Sequence, residues 1–185
     1  SSLVVHPAAG NWSGTLLNGI LHHLPSSKTL PRAGIVHRLD KNTTGLMVVA
    51  KDELSQQHLV RQLQSKKVKR EYRAIVWGQV WKNKTISQPI GRHPRVRVKM
   101  AVNKINGKDS ITHYEVLERF GMNSYLRCNL ETGRTHQIRV HMEFNESPIV
   151  GDPIYGLKKI IPTKAMSSNL KNATLEFDRQ ALHAI

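Results

Sequence analysis

The residues best suited to chemistry lie in one run, Gly34-Ile35-Val36-His37-Arg38-Leu39-Asp40-Lys41-Asn42-Thr43-Thr44-Gly45. Asp40 is its only carboxylate and has cations on both sides, Arg38 and Lys41. A charged carboxylate held among cations suits covalent catalysis at a sugar or base carbon. The same Asp could instead fold a turn, its side chain bonding its own backbone two residues on. Tyr72, in Arg70-Glu71-Tyr72, sets an aromatic ring beside basic residues. Such a ring can stack on an unstacked base and its hydroxyl can move a proton. The competing reading is a core aromatic whose hydroxyl reaches the surface. Arg139 can hold a carboxylate through two parallel hydrogen bonds without losing a proton. Otherwise it is one more solvated cation.

Two further patterns carry less. His136 and His141 are five apart, off the i, i+4 spacing of a helical metal pair, with no cysteine or acidic cluster beside them. A metal is therefore not expected at this pair. Gly107-Lys108-Asp109-Ser110 resembles the end of a phosphate-binding loop but lacks the required upstream glycine, and Asp109 stands where a hydroxyl residue belongs.

The elements that must position these residues follow from periodicity. Residues 13–24 read as a helix with Ser13 as N-cap and Leu16, Leu17, Ile20, Leu21 and Leu24 on one face. The apolar run 46–50 reads as a short buried strand. Asp52 caps a second helix through Leu54, Leu59, Val60 and Leu63, and residues 68–77 form a strand around Tyr72. Residues 79–107 read as a hairpin or long loop, 111–120 and 125–131 as strands, and 136–144 as a short helix. Leu126, Cys128 and Leu130 alternate with Arg127 and Asn129, as a half-buried strand requires. Residues 158–172 have few apolar anchors and are expected to form a flexible excursion. Strands outnumber helices and follow one another, which predicts an α+β domain over residues 1–185 with a largely antiparallel mixed sheet, short helices and loops.

Composition narrows the partners. In 185 residues, 28 Lys and Arg against 13 Asp and Glu give a formal charge of +15. A surface this basic attracts polyanions, and nucleic acid is the commonest. The run Arg92-His93-Pro94-Arg95-Val96-Arg97-Val98-Lys99 is expected to meet RNA phosphates through Arg92, Arg95, Arg97 and Lys99. No apolar run approaches the roughly 20 residues that span a bilayer, so no membrane is expected. One cysteine, Cys128, excludes a disulfide framework within the chain, and a cytoplasmic monomer is the natural expectation. The chain lacks an initiator Met and stops within structured-looking sequence, so both ends are expected to be cut.

The run from Gly34 to Lys51 resembles the second motif of the RluA/RluC/RluD-type pseudouridine synthases, His-Arg-Leu-Asp followed after two variable residues by Thr-Ser/Thr-Gly-Leu. Leu3-Val4-Val5-His6-Pro7 with Gly10-Asn11 and Gly14-Thr15-Leu16 is similar to the family's approach to it, and Arg70-Glu71-Tyr72 to its tyrosine motif. Glu131-Thr132-Gly133-Arg134-Thr135-His136-Gln137-Ile138-Arg139-Val140-His141 resembles its third motif, and residues 148–155 and 179–184 also match. The likeness is greatest to RluD-like members, which act on large-subunit ribosomal RNA. It implies the pseudouridine synthase fold, no cofactor, and isomerisation of uridine to pseudouridine in RNA. Asp40 would be the catalytic carboxylate, Arg139 its partner, and Tyr72 the residue beneath the base. Arg38 would help flip the nucleotide and Ile138 would wall the base pocket. His37, as a structural donor rather than a general base, and Arg134 complete the expected RNA contacts. An amino-terminal S4-like RNA-binding domain, common in the family, is not expected within the chain. Two alternatives are a non-catalytic RNA-binding or ribosome-assembly factor on the same fold and a metal-free ribonuclease.

Overall fold

A computed structural model describes residues 3–8, 10–156 and 167–185. The chain divides into two compact units, Ser1–Val68 and Lys69–Ile185.

In the first unit, helix α1 runs Leu16–His23. Its cap is Thr15 rather than the expected Ser13. Thr15 Oγ1 accepts from Asn18 N–H at 3.4 Å, and Asn18 Oδ1 accepts from Thr15 N–H at 3.0 Å. This reciprocal box needs a hydroxyl and an amide three residues apart, which Thr15 and Asn18 supply. Two short 3-10 turns, Pro25–Thr29 and Pro31–Gly34, each begin on the proline that closes the preceding segment. Helix α2 spans Glu53–Gln64, and its expected cap is in place: Asp52 Oδ1 accepts from Ser55 N–H at 2.8 Å. Between the helices lie the 34–50 run and a two-residue strand β1, Thr44–Gly45. The buried strand expected over residues 46–50 is absent. Val49 makes a single bridge to Ile35, and Leu46 and Val48 are 69% and 50% exposed. The N–H of Val48, which a ladder would use, goes instead to Nε2 of His37 at 2.9 Å.

The second unit is built on strands β2 Arg70–Trp77, β3 Lys84–Ser87, β6 Ile111–Phe120, β7 Asn123–Leu130 and β8 Leu182–Ala184. They lie in the order β8-β2-β7-β6-β3, every pairing among them antiparallel. Register sorts the two faces. Tyr72, Cys128 and Tyr114 sit opposite one another across three strands, as do Ala74, Leu126 and Val116. With Val76, Ile86 and Ile149 they form the core, and helix α3, Gln137–Phe144, adds Ile138 and Met142 to it. On the other face Arg73 is registered with Arg127 and Arg127 with Glu115. Arg73 pairs with Glu71, and Arg127 with Glu115 at 2.6 Å. Cys128 is fully buried, and burial pushes its thiol up to about 12.

Strands β4 Ile90–Arg92 and β5 Met100–Val102 make a separate hairpin, as the 79–107 segment suggested, while β3 from the same segment joins the main sheet. The expected excursion over residues 158–172 falls mostly outside the described residues. Its described end is helical instead, in α4, Ser168–Leu175. Among the described residues, no helix is long and apolar enough to cross a membrane.

Candidate functional site

Asp40 opens a sharp turn. Its carbonyl accepts from Thr43 N–H at 3.0 Å, and Asn42 takes a left-handed φ of 68°. Asp40 is half-buried, while Arg38 and Lys41 on either side are exposed. The run is anchored at Gly34, whose φ is +81°; a Cβ there would lie 2.1 Å from the carbonyl oxygen of Ala50. Only glycine meets both demands. His37 Nε2 accepts from the N–H of Val48 and so ties the two ends of the run together. His6 was not singled out as a site residue. Burial first, then the charges of Arg32 and Arg38, holds its imidazole below the usual range, which places it in their field.

In the second unit, Tyr72 is half-buried beside the core, opposite Cys128 on one strand and Ala184 on the other. Arg139 lies on α3 and is 3% exposed. Its Nε and Nη2 donate to Asp152 Oδ2 and Oδ1 at 2.7 and 3.0 Å. Asp152 Oδ1 also accepts from the N–H groups of Ile154 and Tyr155, at 2.9 and 3.0 Å. Burial alone would raise the Asp152 carboxyl, but Arg139 and the two backbone donors outweigh it and hold it below the ordinary value. The Tyr155 ring lies under the guanidinium, 4.9 Å from its carbon. The Arg139–Asp152 clamp is a fork-to-fork pair, and sequence reading missed it. Asp152 read only as part of a Gly151-Asp152-Pro153 turn, and thirteen positions separate it from Arg139. No local pattern announces a pair so spaced.

Much of the remaining third motif is wired into the scaffold. Gln137 Oε1 accepts from Thr132 Oγ1 at 2.8 Å and from Arg134 N–H at 3.0 Å. Its Nε2 donates to Ile111 O and Thr112 Oγ1, at 2.9 and 3.0 Å. His141, fully buried, sits between Thr112 Oγ1 at 2.8 Å and the Gln88 carbonyl at 3.0 Å. A carbonyl only accepts, so Nε2 carries the proton and Nδ1 accepts from Thr112. Burial holds this imidazole below its usual range. Ile138 is 3% exposed and packs in the core cluster. Arg134 Nε donates to the Asp109 carbonyl at 3.0 Å.

The basic run spans the β4–β5 hairpin. Arg95 and Arg97 are exposed. Arg92, also exposed, donates to the Arg97 carbonyl at 3.3 Å, and His93 Nδ1 accepts from the N–H groups of Arg95 and Val96 at 3.1 and 3.0 Å. Lys99 differs from these: it is half-buried and ion-paired with Glu143 on α3 at 2.7 Å. The structure makes it a tie between hairpin and helix.

An antiparallel sheet with one helix on its core face, and a carboxylate turn on a smaller helical unit, define an α+β protein. Residues 3–144 match the family model described as RNA pseudouridylate synthase. The chain belongs to that family. It is 55% identical over 185 residues to the "Ribosomal large subunit pseudouridine synthase D" of Neisseria meningitidis serogroup B, and 52% identical over 182 residues to the protein of that name in Escherichia coli K12. All of the chain aligns with the first, 98% of it with the second, and it covers 48% and 55% of their lengths, so it spans about half of these relatives. Among solved structures it resembles "Human RNA Pseudouridylate Synthase Domain Containing 1", with a TM-score of 0.71 and 25% identity, covering 100% of this chain and 71% of that one.

Proposed function

We propose that the protein to which this chain belongs isomerises uridine to pseudouridine in large-subunit ribosomal RNA. The observation that carries this reading is the identity of more than half the residues, over the whole chain, with relatives named for that activity. The reaction breaks the bond from N1 of uracil to C1′, turns the base, and joins C5 to C1′; the C5 proton leaves and N1 gains one. It needs no oxidant and no transferred group.

The target nucleotide must leave its stack, which costs a few kcal/mol and is easiest in a loop or bulge. Arg38, exposed and in the same cationic neighbourhood as His6 and Arg32, holds the flipped backbone. Tyr72 stacks against the extruded base, its ring carried on a strand whose core neighbours fix it. Asp40 either adds to the sugar carbon or takes a neighbouring sugar proton. Arg139 steadies the Asp40 charge. Arg92, Arg95 and Arg97 grip phosphates beyond the target. The enzyme acts as a cytoplasmic monomer.

The test uses the full-length protein and ribosomal RNA labelled with tritium at C5 of uridine. Release by the parent should fall at least a hundredfold in Asp40→Ala, on the order of the effect of removing one catalytic group. No release by the parent, with tight and salt-sensitive binding, would sink the enzyme reading and leave an RNA-binding factor. RNA that emerges shortened would point to a ribonuclease.

A further inference from the structure

One side chain, Tyr155, touches both the basic hairpin and the arginine clamp. Its hydroxyl oxygen accepts from Met100 N–H at 2.9 Å, at the first residue of β5 and directly after the basic run. The same hydroxyl is hydrogen-bonded to Nδ1 of His136 at 2.8 Å. His136 is the left-handed residue, φ 57°, from which α3 starts. The Tyr155 ring has the Arg139 guanidinium at 4.9 Å and the Lys99 ammonium at 5.1 Å from its centre. Lys99 in turn reaches Glu143, one helical turn beyond Arg139. The end of the hairpin thus holds α3 at its cap, at Arg139 and at Glu143. Tyr155 itself is 2% exposed, so this contact is made inside the protein and not by solvent. The backbone of residues 152–155 folds onto the Asp152 carboxylate, so Tyr155 and the partner of Arg139 move as one piece.

We propose that Tyr155 is a positioning residue that transmits the hairpin's grip on RNA phosphates to the guanidinium of Arg139. The inference rests on the reading of Arg139 as part of the reaction centre and adds a mechanism by which binding remote from the target uridine aligns it. Energy from phosphate contacts is in this way used on kcat and not only on binding. His136 and Lys99 are the two side contacts that keep the tyrosine in place.

Tyr155→Phe keeps the ring over Arg139 and removes the link to Met100 and His136; Tyr155→Leu removes both. The test is a double-mutant cycle in the full-length protein, Tyr155→Phe against Arg95→Ala with Arg97→Ala, with kcat and KM for ribosomal RNA measured by tritium release. With the tyrosine intact, the arginine replacements should lower kcat as well as raise KM. In the Phe background they should raise KM alone, a coupling of at least about threefold in kcat. Additive kcat effects would overturn the proposal, since a merely structural tyrosine does not couple to exposed arginines. Thermal midpoints identify any variant that fails to fold, and the Phe variant carries the test if the Leu variant does. If the parent releases no tritium, the proposed function fails, and the relay is then read by NMR from the Arg139 Nε–H resonance. It should shift on adding RNA in the parent and stay unmoved in Tyr155→Phe; an equal shift in both would overturn the relay.

Discussion

Asp152 is a carboxylate with no exposed surface, and its burial is tolerable only because four donors converge on it. Removing one side of such a pair leaves an uncompensated buried charge. Asp152→Ala should therefore cost about 3–5 kcal/mol of stability, read from urea denaturation. Acid should act on the same pair. A carboxyl held below its unfolded value of 3.8 contributes stability that is fully present above that pH and is lost as pH falls from there through the lower folded value. His141 works in a higher window and by the opposite chemistry. Its folded form is neutral and its affinity for protons is lowered, so the unfolded chain binds more protons once pH drops below 6.5. Stability should fall from about pH 6.5 downward, and His6 adds in the same direction. Replacing His141 with Gln should flatten the dependence of the urea midpoint between pH 6.5 and 5; an unchanged slope would remove His141 from that role.

At the scale of elements, what the sequence made legible was what is local. Asp52 followed by Ser55 is a cap within four residues, and the alternation of Leu126, Cys128 and Leu130 needs only its own strand. Asp40, Tyr72 and Arg139 stand out through the resemblance of short local motifs to those of the family. The 46–50 run misled because its composition is that of a strand while a side chain eleven positions away takes the N–H of Val48. The Arg139–Asp152 clamp and the Tyr155 link are tertiary pairings, and only folding brings them together. Gly34 is a case where backbone geometry decides. Gly34→Ala should destabilise by roughly 2 kcal/mol or more, since both the left-handed φ and the Ala50 carbonyl oppose a methyl group. Thermal unfolding of the variant tests it.

At the scale of the molecule, a formal charge of +15 was the first indication of a polyanion and remains the broadest. It makes RNA affinity fall steeply with salt, because each neutralised phosphate releases bound counterions. If Arg95 and Arg97 each meet one phosphate, replacing both with Ala should reduce the log–log salt slope by about 2. A filter-binding series from low to moderate salt decides the matter, and an unchanged slope would put the RNA track elsewhere. Cys128 gives the molecule one more property. It is the chain's sole thiol, at the centre of the sheet, with ionisation pushed to about 12. A maleimide can reach it only in molecules whose central strands have parted, so its labelling rate is a clock for the opening of that unit. A second cysteine placed at Arg95 would react at once in the folded chain, and the two sites would report hairpin and core on separate timescales from a single sample.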